Sequence, residues 1–290
     1  MNFAIIANPG KYSVRDSFTT VRNWLKINNH KGFISEELHN QFNNADSSEM
    51  ITITKNEKST ISKADVIIAI GGDGTMLHTA QLARDTGIPI LGINTGRLGF
   101  MANVQPEYIS AALDSVAAQN YSIDERLFLK AKTDNGDEVH ALNELLFSRR
   151  DISSLITLSA YYGGELLNRF WSDGLIISTP TGSTAYNLSA GGPIVMPGTP
   201  VMVITPINPH TLTTRPIVLP SEKELQITVD EDPEQILFSC DGRSTENTIR
   251  SVTISKSSSS VKLIQLPDQT WFKTLRNKLM WGMDNRELSK

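Results

Sequence analysis

The chain has a single cysteine, Cys240, among its 290 residues. That count excludes an intrachain disulfide and any multi-cysteine metal cluster, and fits a reducing compartment, so a cytoplasmic location is expected. Histidine is scarce as well. His30, His39, His78, His140 and His210 form no i, i+4 pair and have no cysteine partner, so no metal ligand is assigned among them. No nucleophile-elbow sequence supports Ser-His-Asp catalysis. Long apolar runs are missing too: residues 1–9 lack a charged lead-in and are too short for a signal peptide or a membrane span, so they read as a first strand and no membrane partner is expected. The net charge of −4 comes from 27 scattered lysines and arginines against 31 acidic residues, which leaves no basic stripe for nucleic acid.

What is present is enough apolar material, 39% of the residues, for two cores of ordinary size. Up to residue 120 apolar strands alternate with helical spacing: strand 3–8, helix 13–27 with Val14, Phe18, Val21 and Leu25 on one face, strand 64–70, helix 76–84 ended by Gly87, strand 88–94 and helix 105–119. Strand, loop, helix and strand in so few residues predict a parallel, right-handed unit. From Tyr121 onward strands follow one another at 127–133, 156–162, 175–178, 201–205, 225–229 and 236–240, with turn signals Asp134-Asn135-Gly136 and Gly163-Gly164. The serines of 257–260 predict a hairpin turn between strands 252–255 and 261–266. Trp271, Phe272, Leu275, Leu279 and Met280 mark a closing amphipathic helix. The expected organisation is an α/β domain over 1–120, completed by 267–290, and a β-rich domain over 121–266.

The most telling segment is Gly71-Gly72-Asp73-Gly74-Thr75, directly after the apolar run 64–70. Glycines let backbone N–H groups approach an anion closely, and a helix starting just after them adds its positive end. Asp73 is the odd member. A carboxylate beside a polyphosphate is repulsive, so it needs a divalent cation, a proton to abstract, or a structural task such as capping a helix that starts at Thr75.

A second rich segment runs from Asp173 to Pro193 and includes Thr179-Pro180-Thr181-Gly182-Ser183-Thr184-Ala185-Tyr186. A buried strand enters a loop whose Ser183, Thr184 and Ser189 can reach sugar hydroxyls or phosphates, while Tyr186 offers a face for a base. The competing reading is a helix capped by Ser183 or Thr184, with Tyr186 and Leu188 as core. Asn143-Glu144, at a strand junction, could hold a base edge or a ribose, or could simply be a turn.

Taken in order, the Gly71 to Thr75 loop, Gly92-Ile93-Asn94, Gly96, Leu98-Gly99-Phe100, Asn143-Glu144, the Asp173 to Tyr186 segment, Gly191-Gly192-Pro193, Thr205-Pro206, Pro209-His210 and Arg215-Pro216 resemble the NAD kinase family. The resemblance implies an N-terminal α/β domain with a parallel sheet and an all-β, sandwich-like C-terminal domain whose last segment returns to the first. It also implies transfer of the γ-phosphate of ATP to the 2′-hydroxyl of the adenosine ribose of NAD, a divalent cation such as Mg2+, and a homo-oligomer, dimer or tetramer.

On that resemblance Asp73 is the catalytic base, and Gly71, Gly72, Gly74 and Thr75 form the phosphate loop. Asp73, Gly74, Asn143, Glu144, Asp173, Thr184, Ala185, Tyr186, Asn187, Leu188 and Ser189 bind the dinucleotide in a cleft between the domains. The chain departs from the family pattern at Trp171, Ser154 and Arg243, which are further candidates for ligand contact. No residue is assigned to the metal. Two rivals remain open: a lipid kinase sharing the glycine loop, and a dinucleotide-binding regulator without catalysis.

Overall fold

The protein is described by a computed structural model covering residues 1–8, 10, 12–42, 50–96, 99–151, 154–230, 232–244, 248–267 and 269–280. Leu98 of the expected motif and the 281–290 part of the closing segment lie outside these residues. The chain forms two compact units, Met1–Asp124 with Val261–Lys290, and Glu125–Ser260.

In the first unit, β1 (Asn2–Ala7), β2 (Lys31–Ser35), β3 (Ile51–Thr54), β4 (Val66–Gly71) and β5 (Ile90–Asn94) pair in parallel in the order β5-β4-β1-β2-β3. Every residue of β4 and β5 is buried, as expected for parallel strands covered on both faces. Helices α1 (Tyr12–Ile27), α2 (Glu36–Gln41), α3 (Glu57–Ile61), α4 (Asp73–Ala83) and α5 (Ile109–Ala117) connect the strands. Val14, Phe18, Val21 and Leu25 of α1 join Ile109, Leu113 and Val116 of α5 over Phe3, Ile5, Ile68 and Ile93 in one core. The Trp24 indole N–H donates to Asp114 across the two helices at 2.7 Å. The winding reverses between β1 and β4. Open α/β sheets bind ligands at such a point, beyond the carboxyl ends of the strands, and the glycine loop follows β4 there.

The second unit contains β6 (Ser122–Thr133), from Glu125 onward, β7 (Glu138–Ala141), β8 (Glu144–Arg149), β9 (Ile156–Tyr162), β10 (Glu165–Ser172), β11 (Gly174–Ser178), β12 (Val201–Ile207), β13 (Ile217–Pro220), β14 (Leu225–Val229), β15 (Ile236–Cys240) and β16 (Arg243–Ser244). One antiparallel sheet has the order β13-β12-β11-β8-β15-β16. A second antiparallel set is β10-β9-β14, extended by the start of β17 (Ser251–Gln265). Leu145, Phe147, Leu175, Ile177, Met202, Ile204 and Phe238 from the first set share one core with Leu158, Ala160, Leu225, Ile227, Val252 and Ile254 from the second. Two sheets burying alternate residues against each other make a sandwich.

The unit also holds the short α6 (Tyr186–Ser189), and the chain ends its described part with α7 (Trp271–Leu279) in the first unit. Beyond the elements expected from periodicity, β2, β3, α2, α3, β10 and β13 also form.

Two local expectations are corrected. Residues 257–260 are not a hairpin turn: they lie within β17, which runs unbroken from Ser251 to Gln265. A tight hairpin needs residues at positive φ, usually Gly or Asn, and among the described residues none of these serines adopts it. Serine fits a strand, and Ser257 is buried here. The helix after the glycine loop starts at Asp73, with Gly72 at its N-cap, so Asp73 sits in the first turn and does not cap a helix starting at Thr75.

Candidate functional site

The glycine loop owes its shape to a close contact at its start. Gly71 ends β4 with no room for a side chain, because a Cβ there would lie 2.2 Å from the Thr75 hydroxyl. Gly72 and Gly74 differ: among the described residues a Cβ on either meets nothing within 4 Å. Their backbone borders open space at the start of α4, an eleven-residue helix with no side-chain cap. Uncapped N–H groups at a helix N-terminus, with open space before them, are suited to hold an anion.

Asp73 turns its carboxylate toward the segment that follows β5. Oδ2 accepts the Phe100 backbone N–H at 3.1 Å and Oδ1 that of Met101 at 3.2 Å. A Cβ on Gly99 would come within 2.2 Å of Oδ1. The structure thus joins two motifs that are separate in the chain, Gly71 to Thr75 and Gly99-Phe100. Lys278 of α7 adds its ammonium 3.3 Å from Oδ2. Asn94 shapes the intervening turn: its Oδ1 accepts the Gly96 N–H at 2.8 Å and its Nδ2 donates to the Ala102 carbonyl at 3.3 Å.

On the side of the loop reached by Gly74 and Thr75, a cavity of about 370 Å³ is also lined by Ala7, Asn8, Glu37, Gln41, Glu57 and His78. His78 Nε2 and Glu57 Oε2 are 2.6 Å apart at its edge. The size and polar lining suit a small polar ligand.

In the second unit, Asn143 and Glu144 are held from two sides. Asp241 accepts the backbone N–H groups of Leu142, Asn143 and Glu144 at 2.8, 2.8 and 3.1 Å. On the other side the Asn143 carbonyl accepts the Thr179 N–H at 2.9 Å, and a Cβ on Gly182 would lie 2.1 Å from it. The Asn143-Glu144 pair and the Thr179 to Gly182 loop therefore stand together. Burial of the Glu144 carboxyl, with the charge of Asp241 adding to it, raises its pKa to about 7. Among the described residues its Oε2 is buried with no hydrogen-bond partner. A carboxyl that keeps its proton to neutral pH can donate as well as accept a hydrogen bond.

The remaining expected residues divide by what their side chains do. Asn187 is consumed internally: its amide donates to the Ser183 and Pro193 carbonyls, both at 3.2 Å, and accepts from the Thr205 hydroxyl at 2.6 Å. Among the described residues no side chain caps α6. The Ser183 hydroxyl instead bonds Pro180 and Val195, and the Thr184 hydroxyl donates to the Thr181 carbonyl. Tyr186 is 44% exposed rather than core, while Ala185 and Leu188 are half-buried and Ser189 is exposed.

Asp173 pairs with Arg149 at 3.1 Å and accepts from Asn208 at 3.0 Å. Trp171 lies against His210, ring centroids 4.0 Å apart. Arg243 is exposed on β16, and Ser154 is exposed outside any strand.

Asp241, Lys278 and the Phe100 and Met101 N–H groups were missed by sequence reasoning. Asp241 carried a faint signal, an Asp-Gly pair after a strand. It adopts φ +48° and Gly242 φ +77°, the turn that aims the carboxylate back at Asn143.

A divalent cation fits this loop as an ion brought by nucleotide phosphates. Among the described residues no three metal-ligating side chains gather, and magnesium is commonly held by one or two carboxylates with phosphates supplying further ligands. Asp73 is the carboxylate within the loop.

Comparison with known proteins bears directly on these features. The family description "ATP-NAD kinase N-terminal domain" matches residues 3–121 and "ATP-NAD kinase C-terminal domain" matches residues 142–266. The NAD kinase of Flavobacterium johnsoniae is 47% identical over 228 residues, 77% of this chain and 78% of that protein. That of Cytophaga hutchinsonii is 40% identical over 238 residues, 80% and 81% of the two chains. Among solved structures, yeast NADH kinase complexed with NADH superposes with a TM-score of 0.88 at 24% identity, covering 98% of this chain and 89% of that one. An NAD kinase from Archaeoglobus fulgidus in complex with ATP gives 0.77 at 23% identity, covering 97% and 99%. These two show the shared two-domain fold, an α/β domain with a parallel sheet and an antiparallel β domain. With both halves matched and relatives this similar, the chain belongs to the ATP-NAD kinase family.

Proposed function

We propose that the protein transfers the γ-phosphate of ATP to the 2′-hydroxyl of the adenosine ribose of NAD, giving NADP and ADP. The observation that carries this reading is Asp73: a carboxylate fixed by two backbone N–H groups in a loop whose neighbouring glycines, Gly72 and Gly74, border open space. The loop N–H groups and the start of α4 receive the phosphates, and the adjoining cavity of about 370 Å³ takes the rest of the donor nucleotide. Asp73 takes the proton of the 2′-hydroxyl as its oxygen bonds to the γ-phosphorus and the bond to the β-phosphate oxygen breaks, releasing ADP. Such transfer depends mainly on positioning and charge neutralisation, and a positioned base adds about 10²- to 10⁴-fold. A bound magnesium ion supplies charge neutralisation on the phosphates.

In the same reading Asn143 and Glu144 hold the dinucleotide by hydrogen bonds, the exposed face of Tyr186 stacks on a base, and Asp173, Thr184, Ala185, Leu188 and Ser189 line its site. Asn187 contributes by holding the loop in shape, since its amide is spent on Ser183, Pro193 and Thr205. Trp171, Ser154 and Arg243 are outer contacts. Among the described residues no helix is long and apolar enough to cross a membrane. We read the protein as a cytoplasmic homo-oligomer, dimer or tetramer, which light scattering of the purified protein tests.

The deciding experiment is NADP formation by the purified protein from NAD, ATP and Mg2+, with parallel reactions lacking Mg2+, replacing NAD by NADH, and replacing NAD by diacylglycerol. NADP production that needs the metal is expected. No phosphorylated dinucleotide in any arm, or phosphorylation of the lipid alone, would overturn the reading.

A further inference from the structure

Lys278 reaches the loop from the far end of the chain. It belongs to the last turn of α7, whose Thr270 caps the N-terminus by accepting the Lys273 N–H and whose Thr274 and Leu275 are buried. Lys278 follows these by four and three residues, so it lies on the same helix face and is carried one turn beyond the buried anchor. There its Nζ stands 3.3 Å from Asp73 Oδ2 and 4.6 Å from the centre of the Phe100 ring. Both side chains of the pair are about one-third exposed. An ion pair of that exposure contributes little to stability. Its location is another matter: it neutralises the carboxylate set among backbone positions that border open space, where an incoming triphosphate meets a like charge. Phe100 serves both partners, its N–H on Asp73 and its ring under the ammonium.

We infer that Lys278 is a positioning residue for Asp73: it holds the carboxylate in the orientation fixed by Phe100 and Met101 and offsets its charge against the phosphoryl donor. This rests on the proposed kinase reaction. Without Lys278, Asp73 keeps its two N–H donors but loses the third contact on Oδ2 and the charge that offsets it, so the carboxylate is held less tightly and repels the γ-phosphate.

The test is steady-state kinetics of NADP formation by Lys278→Ala and Lys278→Arg, alone and combined with Asp73→Asn. Lys278→Ala is expected to lower kcat about tenfold or more while the KM for NAD changes less than about twofold, with Lys278→Arg recovering most of the loss and the midpoint of urea unfolding unchanged. On the Asp73→Asn background Lys278→Ala is expected to have no further effect. A kcat within twofold of the unsubstituted protein in Lys278→Ala would overturn the inference. So would an equal kcat loss in both lysine variants together with a lowered unfolding midpoint, or an undiminished effect in the double variant. If the unsubstituted protein forms no NADP, it is the kinase reading that fails, so the two failures are distinguishable.

Discussion

One oxygen of Asp241 accepts both the Asn143 N–H at 2.8 Å and the Glu144 N–H at 3.1 Å, so a residue from the turn between β15 and β16 sets the backbone of the Asn-Glu pair. The other oxygen takes the Leu142 N–H at 2.8 Å. Asp241→Ala strands three donors. Each unsatisfied buried group costs about 1–3 kcal/mol, with water recovering part of it, so a loss of roughly 2–4 kcal/mol in urea unfolding is expected. Asp241→Asn, which keeps one acceptor, should fall in between. NAD affinity should weaken in both variants by calorimetric titration.

Glu144 makes stability depend on pH with a defined sign. Burial first, and the Asp241 charge second, raise its folded pKa to about 7 from the ordinary value of 4.5. Between these values the folded protein binds more protons than the unfolded chain, so the contribution is fully present below 4.5 and is lost as pH rises through about 7. The shift corresponds to about 3 kcal/mol. Glu144→Gln carries no ionisable group and should show a smaller fall in unfolding free energy between pH 5 and pH 8, which urea titrations at the two pH values measure.

Asp73→Asn is expected to cut turnover by about 10²- to 10⁴-fold while NAD still binds within a few-fold. The amide has one acceptor oxygen for the two N–H donors of Phe100 and Met101, so it also loosens the orientation of the side chain. Retained activity in this variant would remove Asp73 from the base role.

At Gly99 the expected defect is steric. A Cβ within 2.2 Å of Asp73 Oδ1 forces that carboxylate to rotate away. Gly99→Ala should therefore lose kcat with little change in thermal midpoint, since the displaced group is the end of a partly exposed side chain. Normal activity would show that the carboxylate tolerates displacement.

Tyr186→Ala tests the stacking face. With the ring 44% exposed, its removal should cost little stability, yet base stacking on an aromatic ring is worth about 1–3 kcal/mol. The KM for NAD should rise accordingly, and an unchanged value would assign Tyr186 a packing role.

Much of the first unit was legible because parallel strands buried on both faces read as unbroken apolar runs: the buried run of β4 is visible in Val66-Ile67-Ile68-Ala69-Ile70. The glycine loop was equally plain, since neither Gly72 nor Gly74 has a packing reason to be glycine. Short elements such as α2 and α3, of six and five residues, escaped because they span too few turns to show a period. The partners of Asp73 escaped for another reason. Phe100 lies 27 residues away and Lys278 205 residues away, and no local pattern encodes which distant donor meets a carboxylate. The serines of 257–260 misled because polarity resembled a turn, although the φ > 0 residues that a tight turn requires were missing.

The parallel pairing of Leu263 in β17 with Ile90 in β5 has a consequence in time. As the chain leaves the ribosome, β5 has β4 on one side, while the other edge holds Val104 against Gly92 and Asn94 and gains Leu263 beside Ile90 only near the end of the 290 residues. Its edge must wait, and waiting edges are where chains pair wrongly. The α/β unit is therefore the first to begin folding and among the last to finish, and the lysine beside Asp73 arrives only with that final segment.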